Sequence, residues 1–180
     1  MEKKTTPITI AKIVVLLLSI LYVISAVTIF INKHSVLAII GIIVTCLTVY
    51  YMFVGYKKPH GNLLRYLLII VALEALFVFW YAFSQIEKSF DVYELFLLLE
   101  IVIVAYVAGR LNKYKENIAL LSVAFVMAFV SSCHAASVFN LTSAIEIIGT
   151  FDKATILLAL IVSYIARYKE HKEAGLADKK

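Results

Sequence analysis

The sequence predicts an all-α protein, a polytopic integral membrane bundle of six transmembrane helices joined by short loops. Hydrophobic residues make up 63% of its 180 residues, charged residues make up 16%, and the mean hydropathy is +0.95. Soluble domains contain about 45–50% apolar and about 25% charged residues, so this composition cannot cover a water-facing surface. It excludes a soluble globule, a secreted disulfide scaffold, a nucleic-acid-binding module and a disordered tail.

Six apolar runs are long enough to form membrane-spanning helices. A helix needs about 20 mainly apolar residues to cross roughly 30 Å of hydrocarbon. The runs are continuously apolar, whereas spans of a membrane β-barrel alternate over about ten residues. We therefore predict one transmembrane domain with helices over residues 8–31, 36–56, 63–83, 92–109, 117–138 and 153–168.

Charged or turn-forming segments follow the predicted helices and mark where they end. The first helix ends at residues 32–35, and the second ends at the basic segment 57–62, which contains Pro and Gly. Residues 84–89 follow the third helix, and residues 110–115 follow the fourth. Beyond the sixth helix, residues 169–180 form a polar tail.

The stretch from Asn117 to Phe151 lacks Lys and Arg. At 1.5 Å per residue, a helix of this length would extend roughly 52 Å, which is too long for one crossing and barely enough for two. We predict that the fifth helix ends at residue 138 and that residues 139–152 lie at the outer interface. A re-entrant segment is the alternative.

The distribution of basic residues predicts the orientation. With six crossings, 14 of the 17 Lys and Arg residues fall on one side, and the other three are Lys33, Lys88 and Lys153. The positive-inside rule then places both termini in the cytoplasm. The predicted location is the plasma membrane. An extra crossing between residues 117 and 151 would export five of the basic residues.

Topology also explains the net charge of +5, so we predict no nucleic-acid partner. The predicted partners are the lipid bilayer and either other membrane-protein subunits or further copies of this chain. A basic cytoplasmic face is attracted to anionic headgroups at about 1 kcal/mol per well-placed Lys or Arg. No motif indicates a cofactor or a metal ion.

Glu74 and Glu100 are the main site candidates. They lie near the middle of the third and fourth predicted helices, which are antiparallel neighbours, so their carboxyl groups reach similar depths. A charged side chain at a helix centre costs roughly 2.5–3.5 kcal/mol to insert, and ionisable residues inside a membrane mark proton or ion pathways. The alternative is that a neutral Glu hydrogen-bonds a neighbouring helix.

A second candidate lies in the outer half of the fifth helix. Ser131, His134 and Ser137 form a polar stripe at three-residue spacing, and Glu146 could reach it from the following segment. A partly solvated His suits pH sensing or proton transfer. The alternative is a His whose hydrogen bond to a backbone carbonyl is purely structural.

Small and polar residues indicate where helices approach closely. Ser19, Tyr22 and Ser25 line one side of the first helix, and Gly41 and Thr45 form a small-xxx-small pair in the second. The two cysteines, Cys46 and Cys133, match no zinc or redox spacing. We expect both thiols to be buried as small apolar groups.

These observations leave three functional hypotheses. The one that the sequence favours is a non-catalytic helical bundle that acts as an accessory subunit of a membrane assembly. The second is a small-solute or ion transporter or channel that uses Glu74 and Glu100 for proton or cation coupling. The third, least favoured, is an intramembrane lipid- or peptide-modifying enzyme with His134 and Glu146 as acid and base.

Overall fold

The computed structural model describes residues 7–33, 36–54, 61–85, 92–138 and 141–173, and helices are the only regular secondary structure in these ranges. The all-α prediction is therefore confirmed. The helices are α1 (Pro7–Lys33), α2 (Val36–Phe53), α3 (Gly61–Gln85), α4 (Val92–Gly109), α5 (Tyr114–Val138), α6 (Ala144–Gly149) and α7 (Asp152–Glu173).

The predicted boundaries agree with the structure to within a few residues where the two can be compared. Helix α4 has the predicted bounds, whereas α3 and α7 extend further than the apolar runs because their polar ends continue as helix. The predicted interfacial segment contains the short helix α6. Residues 55–56 of the second predicted span, 139–140 of the interfacial segment and 174–180 of the tail lie outside the described residues.

Two of the described helices are long and apolar enough to cross a membrane, judged by length and composition. They are Pro7–Asn32 and Tyr114–Ser137, and shorter apolar helical stretches occupy Ala38–Phe53 and Leu95–Gly109. These helices support a membrane association only weakly, since core helices and signal sequences have the same properties. The count of six crossings stays a prediction.

Contacts between helix ends show that the long helices alternate in direction. The start of α1 meets the end of α2, the start of α3 meets the end of α4, the start of α5 meets the end of α7, and the ends of α2 and α7 meet each other. The pairs that define these contacts are Lys12 with Phe53, Arg65 with Ala108, Asn117 with Tyr164, and Tyr51 with Arg167.

One end of the bundle therefore collects the starts of α1, α3 and α5 and the ends of α2, α4 and α7. Eight described Lys and Arg residues lie at this end, which we call the basic end. They are Lys12, Arg65, Arg110, Lys113, Lys115, Arg167, Lys169 and Lys172. The clustering that the sequence predicts for one side of a membrane is thus present in the fold.

Helix α7 forms the centre of the bundle. It packs against α1, α2 and α5, and most of its residues between Lys153 and Tyr164 are buried. The main apolar cluster joins it to four other helices through buried side chains such as Val44 of α2, Leu67 of α3, Val104 of α4 and Leu121 of α5. The element with the lowest apolar content among the long helices is therefore the one most enclosed by protein.

The segment before α7 turns into the bundle. The Ser25 hydroxyl of α1 donates a hydrogen bond to the Ile145 carbonyl of α6, and the Ser132 hydroxyl of α5 lies 2.6 Å from the Thr150 carbonyl that it can donate to. Ser25 is eight residues before the end of α1, a distance of about 12 Å along the helix. Helix α7 consequently begins below the end of the bundle, beside the middle of its neighbours.

The outer surface of the bundle carries many large apolar side chains. Leu17, Val102 and Val126 are 57%, 63% and 57% exposed, and exposed Ile, Leu, Val and Phe side chains recur along α1, α2, α4 and α5. Polar side chains such as Ser19, Ser25 and Glu100 are buried. A surface with this many large apolar side chains is unusual for a water-soluble domain.

Candidate functional site

The start of α7 brings four ionisable side chains together inside the bundle. They are Glu74 of α3, Glu100 of α4, and Asp152 and Lys153 of α7, which we call the acidic cluster. The apolar runs that form α3 and α4 carry each Glu to mid-helix. Helix α7 supplies the other two residues because its first turn lies at that depth.

Glu100 and Lys153 form a buried ion pair. The Lys153 Nζ atom lies 3.7 Å from Glu100 Oε2, and the two side chains are 6% and 0% exposed. At this distance the two groups attract each other as charges without forming a hydrogen bond. Coulombic attraction is strong where water is excluded, and it offsets part of the cost of removing both charges from water.

Glu74 belongs to the same cluster through Asp152. Asp152, Lys153 and Glu100 all lie close enough to Glu74 to interact with it electrostatically. Asp152 also accepts a 2.6 Å hydrogen bond from the backbone N–H of Lys153. A carboxylate at the first turn of a helix interacts favourably with the helix dipole, which helps to hold Asp152 in place.

In the part of the chain that the structure describes, no hydrogen-bond donor reaches three buried carboxyl oxygens of the cluster. They are both oxygens of Glu100 and Oε2 of Glu74. Buried polar atoms are usually satisfied, and those that are not call for an explanation such as a bound water, an ion or a catalytic role. The cluster therefore has acceptor capacity that the described side chains leave unfilled.

The charges within the cluster do not balance. Three carboxyl groups face one ammonium group, which would leave two excess negative charges if every group were ionised. Burying uncompensated charge is costly, and such groups become neutral or bind counter-ions instead. The arrangement can therefore hold protons. Among the described residues, no group of three or more His, Cys, Asp or Glu side chains has a geometry that would hold a metal ion.

Tyr22 lies at the edge of the acidic cluster. Asp152 and Glu74 both act electrostatically on its hydroxyl group, and its side chain is 4% exposed. A Cβ atom added at Gly41 would overlap the same hydroxyl. The absence of a side chain at Gly41 therefore allows Tyr22 to lie between α1 and α2, close to the acidic residues.

The members of the predicted outer polar stripe differ in exposure. Ser131 is buried, whereas His134 and Ser137 are exposed and Glu146 is half-buried on α6. The Ser131 hydroxyl has no hydrogen-bond partner among the described residues. A role for these four residues as a polar site stays a prediction.

One sequence-based expectation is wrong, and one residue counted on the outer side proves to be buried. The charge pattern counts Lys153 with the residues of the outer side, and the structure buries its side chain beside Glu100. Cys46 and Cys133 are expected to be buried, but both are exposed. The thiols lie on the same apolar outer surface as the large aliphatic side chains, which is compatible with their weakly polar character.

Sequence reasoning missed Asp152, Lys153 and Tyr22 as neighbours of the two glutamates. Each helix face around Glu74 and Glu100 is apolar, so spacing along either helix gives no second polar group. One feature of the sequence could have pointed to these neighbours. The segment before residue 153 fitted no single helix length, and a re-entrant path, which would carry the start of the last helix into the bundle, was the alternative interpretation.

Comparison with known proteins does not identify a relative. No protein-family model matches the chain, and no curated protein or solved structure matches it either. The residues and the geometry of the acidic cluster are therefore the basis for the functional proposal.

Proposed function

We propose that the chain is a multi-pass membrane protein that couples a proton or a small cation to the movement of a small solute or ion. The acidic cluster is the proposed coupling site. The observation that carries this proposal is the buried pair of Lys153 and Glu100, with two further carboxyl groups beside it.

The proposed solvent around the bundle is the hydrocarbon of a membrane. Apolar side chains cover its outer faces, while the charged side chains whose exposure the structure describes lie at the basic end, inside the bundle or, for Glu146, half-buried on α6. In this proposal α1 to α5 and α7 make six crossings of the plasma membrane. The basic end of the bundle faces the cytoplasm. Helix α6 and the turn after it complete the last crossing, because α7 begins inside the bundle.

The charge deficit of the cluster supports a coupling role. Ionisable residues inside a membrane protein are costly, and they characteristically serve proton relays or ion pathways. A proton or cation that leaves the cluster would increase the negative charge around Lys153. Because Lys153 is at the first turn of α7, such a change acts directly on the position of α7 and of the α6 turn before it.

Proton flux in reconstituted vesicles tests this function. We would load liposomes with a pH-sensitive dye, impose a proton gradient with a potassium diffusion potential, and repeat the assay with sodium gradients. We expect flux above that of empty vesicles, and a loss of about tenfold or more for Glu100→Gln because the coupling carboxyl is removed. Glu170→Gln is the matched control, since Glu170 is exposed at the basic end.

Folding must be shown for every variant by helical content and by elution as a single species in detergent. A folded Glu100→Gln protein with the flux of the original chain would refute the coupling role. Absence of flux from the original chain in all gradients would refute proton or sodium movement by this protein alone.

A second candidate function is that of a non-catalytic subunit of a larger membrane assembly. The observation that favours it is that the ion pair joins α4 to α7, so charged groups here also hold helices together. Purification in mild detergent distinguishes the two functions. A partner present in fixed stoichiometry, together with no flux from the isolated chain, would favour the subunit.

A further inference from the structure

A pocket at the basic end is lined mainly by cationic side chains. It has a volume of about 320 Å³, roughly ten times the 30 Å³ that a water molecule occupies in the liquid. It opens between the start of α3, the turn from α4 to α5 and the end of α7. Its lining includes Arg65, Gly109, Arg110, Asn112, Lys113 and Arg167, and we call it the arginine pocket.

Neighbouring groups hold two of the arginines in position. The Arg65 Nε atom donates a 3.2 Å hydrogen bond to the Ala108 carbonyl near the end of α4. The Arg167 Nη1 atom lies 3.5 Å from the Tyr51 hydroxyl, and its guanidinium is 5.9 Å from the centre of the Tyr114 ring. These contacts reduce the side-chain entropy that a ligand would otherwise have to remove.

The turn that forms one wall is also fixed. Asn117 of α5 donates a 2.7 Å hydrogen bond from Nδ2 to the Arg110 carbonyl, and the Lys113 N–H donates a 3.1 Å bond to the same carbonyl. The Arg110 guanidinium hydrogen-bonds the Tyr106 hydroxyl and lies over its ring. The wall of the pocket therefore consists of a turn whose backbone is held by hydrogen bonds and of the Arg110 guanidinium, which is held by Tyr106.

The positive charge of the pocket is only partly neutralised. Glu116 forms a 3.8 Å ion pair with Arg110, and these side chains are 56% and 42% exposed. In the described part of the chain, Arg65, Lys113 and Arg167 have no ion pair with a carboxylate. The pocket thus presents about three uncompensated positive charges to a ligand.

We infer that the arginine pocket binds a phosphate group. Guanidinium groups present paired N–H donors that match the oxygens of a phosphate, and such charge-assisted hydrogen bonds are the stronger ones in proteins. Because Nε of Arg65 donates to the Ala108 carbonyl, the terminal nitrogens of that guanidinium are the donors that a phosphate oxygen would use. The phosphate can belong to an anionic phospholipid headgroup or to a phosphate in solution.

The surroundings of the pocket are suited to the lipid source. Ile69, one helical turn from Arg65, and Val102, one turn from Tyr106, are 40% and 63% exposed. An apolar surface therefore continues from the pocket along α3 and α4, where acyl chains would lie. Basic pockets between transmembrane helices on the cytoplasmic side are known to bind lipid headgroups.

Two measurements on the full chain test this inference. The first is native mass spectrometry of protein taken from nanodiscs that contain equal amounts of phosphatidylglycerol and phosphatidylcholine. The second is equilibrium dialysis of detergent-solubilised protein with radiolabelled inorganic phosphate. The variant is Arg65→Gln/Arg167→Gln, and the matched control is Lys115→Gln/Lys172→Gln, which removes the same charge from exposed residues outside the pocket lining.

We expect the original chain to retain phosphatidylglycerol in preference to phosphatidylcholine. The Arg variant should retain about 30-fold less, from about 1 kcal/mol for each of two basic residues, while the Lys control stays within about twofold. Saturable binding of inorganic phosphate that the Arg variant loses would indicate that the pocket binds phosphate from solution. Equal losses in the variant and the control, or no preference and no phosphate binding, would overturn the inference.

Lys113→Gln guards against a folding defect in the double variant. Its side chain is exposed, and its hydrogen bonds within the turn are made by its backbone, whose N–H donates to the Arg110 carbonyl and whose carbonyl accepts from the Asn117 N–H. This variant should fold normally and bind about fivefold more weakly. If a folded Lys113→Gln protein bound as tightly as the original chain, Lys113 would not contribute to the pocket, and the inference in this form would be wrong.

Discussion

Lys153 and Glu100 meet inside the bundle, with Nζ of the first 3.7 Å from Oε2 of the second and neither side chain more than 6% exposed. This pair links the first turn of α7 to the middle of α4. It also connects the fold to the proposed function, because the same contact that holds α7 in place belongs to the acidic cluster. The interaction of these two residues can be measured separately from any transport.

A double-mutant cycle on this pair should show strong coupling. Lys153→Met leaves Glu100 buried without its cation, and we expect a loss of about 3 kcal/mol in the free energy of unfolding. The double variant Glu100→Gln/Lys153→Met should recover most of that loss, because neither charge remains. Denaturant unfolding in detergent, followed by circular dichroism, measures both.

The exposed pair of Arg110 and Glu116 provides the control cycle. Its atoms are 3.8 Å apart, nearly the same as in the buried pair, but its side chains are about half exposed. Its coupling should be no more than about 0.5 kcal/mol. Equal coupling in the two cycles would mean that the Lys153 side chain is solvated rather than enclosed.

Gly41→Ala should destabilise the contact between α1 and α2. A Cβ atom at this position overlaps the Tyr22 hydroxyl and lies 3.1 Å from its Cζ atom, and the buried ring has little room to move. We expect a loss of about 1–3 kcal/mol, the usual cost of overpacking. Thermal unfolding in detergent gives the change.

Two further variants make the Gly41 prediction specific. Tyr22→Phe removes the overlapping oxygen, so it should partly restore the stability of Gly41→Ala. Gly109→Ala is the matched control, because a Cβ there meets no atom within 4 Å. It should be neutral or stabilising by up to about 1 kcal/mol, since Ala is preferred to Gly in a helix. Equal destabilisation by both Gly variants would contradict the overlap.

Ser25→Ala should loosen α6 without unfolding the bundle. The Ser25 hydroxyl donates its hydrogen bond to Ile145 of α6, and such a bond contributes about 1 kcal/mol. Hydrogen exchange of residues 144–149 should therefore become about fivefold faster. Thr28→Ala is the control, because the Thr28 hydroxyl bonds to Ile24 of its own helix. Unchanged exchange in Ser25→Ala would show that α6 is held by other contacts.

The alternating direction of the long helices predicts on which side of the membrane each connecting segment lies. Reporter tags in the turn at residues 110–113 and after Glu173 should lie on the same side of the membrane, since both are at the basic end. A tag between α3 and α4 should lie on the opposite side. Protease protection in intact cells measures each position. Tags at the two basic-end positions on opposite sides would refute the six-crossing proposal.

The helices themselves could be predicted from the sequence because the hydrophobic runs are long and their charged boundaries are sharp. The agreement at Val92–Gly109 shows how well an apolar run between charges defines a helix. The agreement fails in detail between residues 139 and 152, where composition is mixed and no single length of helix fits. That segment contains a helix of six residues and a turn held by Ser25 and Ser132.

Only two of the four residues of the acidic cluster could be predicted from the sequence. Glu74 and Glu100 are recognisable because a carboxyl group within an apolar run is unusual and costly. Their partners are not recognisable in this way, because Asp152 and Lys153 follow a segment of mixed composition at the start of a helix and have the appearance of ordinary surface residues. The position of a residue in the sequence does not show how deeply the start of its helix lies within the bundle.

Local chemistry along the chain was thus enough to determine the all-helical class, the helix boundaries and the two mid-helix acids, since each depends on neighbours within a few residues. The burial of Lys153, the proximity of Asp152 to Glu74 and the four cations around one pocket were decided only by tertiary structure. Each depends on how deeply one helix enters among the others, and that depth is fixed by contacts such as Ser25 with Ile145, 120 residues apart in the chain.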